Sequence, residues 1–346
     1  MGINEKIEFN KIIMKNIKSY LGDYDDVSSI KILGDNISKK PKITIAIPTY
    51  KRTFFLNQAI KSILNQKNFN DYEILVIDND PNRNCETEHL LIKYQNSKIR
   101  YYKNSKNIGM YGNWNRCISL SNSKYLTILN DDDTLNQNFL KDTFEFINKH
   151  KKTDALNVRY NYIDENSNVI NKQKNFFKSF EKVFILQLFF GNINPGSLGT
   201  VFLKKKMIQI GGFDESYFPS SDYEFNLRFI SRFKNVYVLN KYLSNYRLAV
   251  NECQKLETLN NFLVKDHQIR LLLIEKFSFI KNILKNSLTV ITYGQYIEYS
   301  NNSNEFKEVN SVKMNNLKNE ISYLNKISAK VAYFIFRISK LYYQLK

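Results

Sequence analysis

Four short apolar runs, each followed by polar or acidic residues, constrain the fold of this chain more than any other feature. They occupy residues 43–48 (ITIAIP), 72–77 (YEILVI), 99–102 (IRYY) and 125–129 (YLTIL). Segments with helix-spaced apolar positions separate them, and an alternation of strand and helix is typical of a parallel sheet. Because parallel strands are buried on both faces, they read as nearly continuous apolar runs. We therefore predict an α/β fold with a mainly parallel central sheet.

The fourth run leads directly into residues 130–133 (NDDD), so that three carboxylates follow one buried strand. In open α/β sheets, ligands bind outside the carboxyl ends of the strands. Adjacent acids repel one another unless a cation or hydrogen bonds compensate, and carboxylate oxygens suit Mg²⁺ or Mn²⁺. The alternative is a solvated turn that caps the next helix, because Asp is common at helix starts. The run alone leaves both interpretations open.

The composition argues against several classes of partner and site. The formal net charge of +18 comes mostly from lysines, which accompany many asparagines and isoleucines. No basic run alternates with aromatic residues as a nucleic-acid groove requires, so we expect no nucleic-acid partner. The cysteines Cys85, Cys117 and Cys253 are odd in number and lack metal-type spacing. They indicate free thiols in a reducing compartment.

The sequence predicts no membrane-spanning helix, because no segment reaches the ~18 to 20 apolar residues that such a helix requires. Residues 1–18 do not resemble a secretory signal, and a cytoplasmic location is the default expectation. A terminal amphipathic helix is predicted from apolar residues that share one face. They are Ile327, Val331, Phe334, Ile335, Ile338, Leu341 and Tyr342. This helix can lie on an anionic membrane, pack on its own domain or join a second subunit.

An ordered set of motifs identifies a family. The motifs are residues 48–52 (PTYKR), 78–80 (DND), 107–109 (NIG), 112–116 (GNWNR), 130–133 (NDDD), 212–215 (GFDE) and 221–222 (SD). Each motif alone is weak, but their order and spacing resemble the family 2 glycosyltransferases over roughly residues 42–247. The resemblance implies the GT-A fold, a Rossmann-like nucleotide-diphospho-sugar transferase fold, and inverting transfer from a nucleotide sugar.

The composition indicates the terminal regions of the chain, and the resemblance implies the domain between them. Residues 1–40 would form a polar, partly helical N-terminal extension. The GT-A domain would occupy residues 41–250, with a nucleotide-binding half (41–135) and an acceptor half (136–250). A basic, helical C-terminal region would follow over residues 251–346, with a strand-like interruption at residues 288–299.

On the family pattern, Asp132 would coordinate Mn²⁺ or Mg²⁺, and Asp133 would assist it. Asp78 is similar to the acid that hydrogen-bonds the base, usually uracil. The nucleotide-sugar site as a whole would comprise Thr49, Tyr50, Arg52, Asp78, Asn107, Asn115, Asp131 and Arg247. Arg247 could reach the diphosphate, and a surface arginine is the alternative interpretation.

Asp222 matches the general base of the family, which takes a proton from the acceptor hydroxyl. One base is enough, because the phosphate leaving group needs no protonation. A helix N-cap is the alternative role for Asp222. Asn130 and Ser221 stand where many relatives have acids, and Glu224 or Asp214 therefore remain candidate bases. Asp214 and Glu215 are otherwise expected on the acceptor side.

The resemblance therefore predicts an inverting glycosyltransferase that moves a hexose or N-acetylhexosamine from a UDP-sugar to a glycan hydroxyl. It implies a lipid-linked acceptor in bacterial cell-surface polysaccharide biosynthesis, such as capsule synthesis, with peripheral contact at the inner face of the membrane. A homo-oligomer stays open. The alternative is a catalytically silent GT-A-like module that binds a glycan or a membrane partner through its basic tail.

Overall fold

The structure is a computed structural model that describes residues 18–34, 40–171, 173–248, 255–277 and 280–323. Its described residues form two compact units. The first unit contains residues up to 183, together with 193–215 and 228–248. The second contains residues 184–192, 216–227 and the described part of the chain from 255 onward. Segments 184–192 and 216–227, which the predicted boundaries place in the acceptor half, therefore group with the C-terminal helices.

The first unit is built on one sheet that has ten strands among the described residues. In chain order they are β1 (Ser29–Leu33), β2 (Ile43–Thr49), β3 (Tyr72–Asp78), β4 (Ile99–Asn104), β5 (Tyr125–Ile128), β6 (Thr134–Leu135), β7 (Ala155–Ile163), β8 (Phe180–Lys182), β9 (Thr200–Leu203) and β10 (Val236–Arg247). Their spatial order is β1-β4-β3-β2-β5-β9-β7-β10-β6, and β8 pairs with β10.

The middle of the sheet is parallel, as predicted. Strand β2 pairs in parallel with β3 and β5, and β3 pairs in parallel with β4. The carboxyl ends of these four strands consequently lie along one edge. Strands β1 and β9 flank them in antiparallel orientation. Strand β1 falls within the predicted N-terminal extension, yet it hydrogen-bonds to β4 as part of the sheet.

The helices follow the predicted alternation with the strands. They are α1 (Thr53–Leu64), α2 (Glu86–Tyr94), α3 (Gly109–Leu120), α4 (Phe139–Lys149), α5 (Lys204–Gln209), α6 (Ser221–Arg232), α7 (Leu256–Lys276), α8 (Lys281–Asn302) and α9 (Asn304–Tyr323). The predicted strand-like interruption at residues 288–299 is wrong, because this segment lies inside α8. Helix formation wins there since the segment buries Leu288, Ile291 and Tyr296 at helical spacing.

The core of the first unit explains why these elements form. Every residue of β2 and of β3 is buried. Helix α1 buries Leu56, Ala59, Ile60 and Ile63, whose spacing places them on one face of the helix. Each fully buried Leu or Ile side chain contributes about 1.5–3 kcal/mol relative to exposure. The strands that end at this edge of the sheet are thus held in place by a tightly packed core.

None of the helices within the described ranges is long and apolar enough to cross a membrane. The predicted terminal helix with Ile327 and Tyr342 lies outside the described residues, as does Cys253.

Candidate active site

The acidic run forms a buried turn at the carboxyl edge of the sheet. The backbone N–H of Leu129 donates to Ala46 of β2, and the N–H of Asp133 donates to the carbonyl of Asn130. The chain then continues into β6. Asp131, Asp132 and Asp133 are only 5%, 7% and 1% exposed, so the alternative interpretation of a solvated turn is wrong.

Asp131 is held by the residues that follow β2. The hydroxyl group of Thr49 donates to one carboxylate oxygen at 2.8 Å, and the Arg52 guanidinium contacts the other at 3.3 Å. The backbone N–H of Tyr50 also donates to Asp131. Burial raises the pKa of Asp131 to about 7; Arg52 opposes this shift and the charge of Asp132 adds to it. The turn therefore carries more negative charge than its protein partners neutralise.

Asp133 faces the end of β10. One of its carboxylate oxygens accepts the backbone N–H of Arg247 at 3.0 Å, and the other accepts the side-chain amide of Asn130 at 3.2 Å. Burial, followed by the charge of Asp132, raises the pKa of Asp133 well above its ordinary value. The Asn130 side chain thus holds the Asp133 carboxylate.

Arg247 is fully buried, so the surface alternative for this residue is wrong. Its guanidinium donates to the carbonyl of Asp132 at 2.8 Å. Its remaining bonds go to the carbonyls of Asp164 and Glu165 and to the side chains of Gln58 and Ser167. Since arginine has five N–H donors, these five bonds occupy all of them. This geometry ties the acidic turn to residues 164–167.

Asp132 differs from its two neighbours. One of its carboxylate oxygens accepts a charge-assisted bond from Arg52 at 2.9 Å. Its other carboxylate oxygen accepts no hydrogen bond from any residue that the structure describes. Asp132 therefore keeps one carboxylate oxygen to which a cation could bind. It lies in a buried turn of three carboxylates whose ion-pair partner is Arg52.

The chemistry of this turn fits a hard divalent cation. Such ions accept one or two carboxylates and fill their remaining positions with water and substrate phosphate oxygens. Asp132 offers one oxygen, whereas a bond from Asp133 would replace one of its present hydrogen bonds. Within the described ranges, no group of three or more His, Cys, Asp or Glu side chains is arranged to hold a metal ion. The protein would thus supply few ligands of its own.

Asp78, at the end of β3, lies in a pocket where protein groups donate hydrogen bonds to both of its carboxylate oxygens. It is fully buried and accepts bonds from Tyr101 at 2.9 Å, from Lys103 at 2.8 Å and from the backbone N–H of Asp80 at 2.9 Å. Burial and the Asp78 carboxylate raise the pKa of Tyr101, so this hydroxyl stays a donor. Cys85 lies beside Lys103, its sulfur 3.2 Å from the ammonium nitrogen. The base-binding role of Asp78 remains a prediction.

The sequence contained one signal for this pocket. Tyr101 and Lys103 are two residues apart in β4, and alternation along a strand places both on the same face. Their register against β3 could not be read from the sequence.

The remaining nucleotide-site residues occupy different environments. Tyr50 is 42% exposed and Asn107 is also exposed. Asn115 is buried, and its side-chain amide exchanges two hydrogen bonds with the backbone of Phe213. Gly212 has a φ of +77°, and a Cβ atom there would approach Asn115 to 2.5 Å. Asn115 therefore holds the turn of the GFDE motif.

On the predicted acceptor side, Glu215 is exposed and accepts the hydroxyl group of Tyr24 at 2.5 Å. This hydrogen bond, with some burial, raises the pKa of Tyr24 to about 12. Asp214 is half-buried. Residues near the amino terminus thereby contact the GFDE motif, which the sequence did not indicate.

Asp222 belongs to the second unit, in the first turn of α6. It is 7% exposed and accepts the side-chain amide of Asn192 at 2.6 Å. Ser220, two residues before Asp222, donates its hydroxyl group to Asp266 at 2.7 Å. The buried hydroxyl of Ser221 has no hydrogen-bond partner among the described residues. Asn192 carried no recognisable signal in the sequence.

Comparisons with known proteins agree with this architecture. Residues 44–209 match the model of the family described as Glycosyl transferase family 2. An uncharacterized glycosyltransferase of Methanocaldococcus jannaschii is 27% identical over 215 residues, which cover 60% of this chain and 71% of that protein.

A Campylobacter jejuni protein, the GalNAc(5)-diNAcBac-PP-undecaprenol beta-1,3-glucosyltransferase, is 33% identical over 96 residues. That match covers 28% of this chain and 31% of the relative, so less than a third of the relative is represented. The crystal structure of S. aureus TarS 1-349 in complex with UDP-GlcNAc has a TM-score of 0.52 at 17% identity. It aligns with 75% of this chain and 80% of that one, and it confirms the GT-A fold.

Proposed function

The chain belongs to the family 2 glycosyltransferases through residues 44–209, and we propose that it transfers a hexose or N-acetylhexosamine from a UDP-sugar, with inversion, to a glycan hydroxyl. The observation that carries this proposal is the acidic turn, in which Asp132 keeps an oxygen without a protein partner among the described residues. The shared fold with a TarS fragment that binds UDP-GlcNAc supports a UDP-sugar as the donor.

In this proposal, Asp132 would hold Mn²⁺ or Mg²⁺, with Asp133 beside it. When bound, such an ion neutralises the charge that develops on the diphosphate leaving group. Tyr50, Arg52 and Asn107 have exposed or partly exposed side chains and are suited to direct contact with the donor. Other predicted contact residues hold neighbouring protein groups in place. Thr49 and Arg247 hold the acidic turn, and Asn115 holds the GFDE motif.

Asp222 is the proposed general base. The acceptor oxygen forms a bond to the anomeric carbon while the bond from that carbon to the diphosphate oxygen breaks. The hydroxyl proton passes to the Asp222 carboxylate, and UDP leaves with the electron pair. The amide of Asn192 donates to this carboxylate at 2.6 Å, so the protein holds one of its two oxygens. We retain residues 41–250 as the proposed extent of the transferase domain.

The acceptor is proposed to be lipid-linked. The name of the C. jejuni relative describes transfer to an undecaprenol-linked glycan, which supports an acceptor of this class. A role in bacterial cell-surface polysaccharide synthesis, at the inner face of the membrane, would follow. The net charge of +18 is compatible with an anionic membrane surface.

The proposal is tested by incubating purified protein with a panel of UDP- and GDP-sugars and measuring nucleotide release with Mn²⁺, with Mg²⁺ and with a chelator. We expect release from at least one UDP-sugar that requires the metal and is lost in Asp222→Asn. Glu275→Gln is the matched control, because it removes a carboxylate of the same unit that pairs with Lys281 and takes no part in the proposed chemistry. Absence of metal-dependent turnover with every donor would contradict the proposal.

A further inference from the structure

The side chain that contacts the proposed base belongs to a short segment, residues 184–192, that the sequence left without a function. The Asn192 amide nitrogen donates to one carboxylate oxygen of Asp222 at 2.6 Å. The Asn226 amide nitrogen in turn donates to the Asn192 carbonyl oxygen, also at 2.6 Å. All three residues lie in the second unit.

This chain of bonds fixes which end of Asn192 faces the carboxylate. An asparagine side chain can present either its donor or its acceptor end, and the hydrogen-bond network decides between them. Asn226 lies one helical turn after Asp222 in α6, so the two side chains share a face of that helix. Because Asn226 donates to the oxygen of Asn192, the N–H group of Asn192 is left pointing at Asp222.

The segment that carries Asn192 is itself anchored. Leu188 and Phe189 are fully buried. The carbonyl of Leu188 accepts the hydroxyl group of Tyr223, the residue next to Asp222. The carbonyl of Phe189 accepts the guanidinium of Arg270 at 3.0 Å, and Arg270 is 1% exposed.

A second set of bonds connects the same arginine to the start of α6. Arg270 donates to Gln295 at 2.9 Å, and Gln295 donates to Asp266 at 3.0 Å. Asp266 accepts the hydroxyl group of Ser220 at 2.7 Å. Ser220 is two residues before Asp222. The polar network therefore restrains both the segment that carries Asn192 and the start of α6, which carries Asp222.

We propose that Asn192 is a positioning residue that orients the Asp222 carboxylate, with Asn226 setting the orientation of the Asn192 amide. The inference rests on the proposed function, in which Asp222 accepts the acceptor proton. A carboxylate with one oxygen held at 2.6 Å loses most of its freedom to rotate. Displacement of a reacting group by about 1 Å can cost 100-fold in rate, so this restraint acts on turnover rather than on donor binding.

The test compares Asn192→Ala and Asn226→Ala with wild type in the release of UDP from the UDP-sugar of fastest wild-type turnover. We expect kcat to fall about 10- to 100-fold in Asn192→Ala, with the donor KM within about twofold of wild type. Asn226→Ala leaves the Asn192–Asp222 pair intact but permits the amide to turn, so its loss should be several-fold. Asn192→Asp, which replaces the donor with a like charge, should lose at least as much as Asn192→Ala.

Asn260→Ala is the matched control. It also removes an asparagine–asparagine bond within the second unit, to Asn310 at 3.1 Å, and it leaves Asp222 untouched. Its kcat should equal that of wild type, and its melting temperature should shift as much as that of Asn192→Ala. A wild-type kcat in Asn192→Ala, or an equal loss of kcat in the control, would overturn the positioning role.

Failure of the proposed function gives a different pattern. If wild type releases UDP from no donor, or if Asp222→Asn turns over normally, the function assigned to Asp222 falls and the inference falls with it. If wild type is active, Asp222→Asn is inactive and Asn192→Ala is normal, only the positioning role is wrong.

Discussion

Asp78 and the acidic turn after β5 occupy the same edge of the sheet, yet their electrostatic environments are opposite. Asp78 is fully buried, and one carboxylate meets one buried ammonium group, a tyrosine hydroxyl and a backbone N–H. Three carboxylates crowd the turn, and in the described part of the chain Arg52 is the cation whose guanidinium ion-pairs with them. Arg247 directs its guanidinium to carbonyls and neutral side chains.

The difference separates an acid whose charge is compensated within the protein from a cluster of acids that Arg52 compensates only in part. A buried charge whose partners all lie within the protein needs no external ion. Removing one of those partners destabilises the fold. A buried cluster with excess negative charge gains from an external cation. Strand-end position alone, which Asp78 and Asp132 share, does not distinguish these two cases.

The largest expected effect is on turnover in Asp132→Asn. Loss of the ligand should reduce metal-dependent UDP release by about 1,000-fold, because charge on the leaving group is then poorly neutralised. Initial rates at saturating donor measure it. Asp71→Asn is the control, since Asp71 immediately precedes β3 and contacts Lys42. Near-wild-type turnover in Asp132→Asn would place the metal elsewhere.

Lys103→Met should destabilise the fold more than any other change at the Asp78 pocket. It leaves Asp78 buried without its cation, which typically costs about 3–5 kcal/mol. Urea denaturation of wild type and variant measures the difference in the free energy of unfolding. Lys106→Met, which removes a solvent-exposed pair with Asp26, should change stability little. Equal effects of the two variants would contradict the contrast between Asp78 and the acidic turn.

Arg52→Gln should strengthen binding of Mn²⁺ alone. The guanidinium occupies one oxygen of Asp132 at 2.9 Å and repels an incoming cation. Because Arg52 is partly exposed, screening limits the effect to the order of tenfold in affinity. Calorimetric titration with Mn²⁺ measures it, and Lys51→Gln is the control for a neighbouring charge on an exposed residue. Weaker binding in Arg52→Gln would mean that Arg52 assists the metal.

Tyr101→Phe should have the smallest effect. It removes one hydrogen bond to Asp78 at 2.9 Å and leaves Lys103 in place, so we expect a loss of about 1–3 kcal/mol in the free energy of unfolding. Tyr102→Phe, at the next and partly exposed position of β4, serves as the control. A loss as large as that of Lys103→Met would show that the hydroxyl group, and not the ammonium group, compensates Asp78.

The sequence predicted the parallel centre of the sheet correctly, because short continuous apolar runs such as residues 72–77 are typical of strands that are buried on both faces. Helix α1 lies where the apolar spacing between the first two runs predicts a helix. Strand β1 was missed, since none of its residues is fully buried and its strand partner, β4, lies far along the chain. The prediction of a strand-like interruption at residues 288–299 was wrong because aromatic and β-branched residues occur both in strands and in buried helices.

The candidate site was predictable in its acids but not in their partners. Asp132 and Asp222 follow from ordered motifs, whereas the bonds that distinguish them join residues far apart in the chain. Lys103 reaches Asp78 from the neighbouring strand, and Asn192 reaches Asp222 from segment 184–192. Such pairings depend on register and loop conformation, and one sequence carries little information on either.

Calorimetric titration of UDP into the wild-type protein, with Mn²⁺ and with a chelator, tests the central claim most directly. We expect Mn²⁺ to tighten UDP binding at least about tenfold, because an ion held by Asp132 would neutralise charge on the diphosphate. Asp132→Asn should abolish this difference. UDP binding of equal affinity in the presence of the chelator, or no UDP binding in either condition, would contradict a metal-dependent donor site at Asp132.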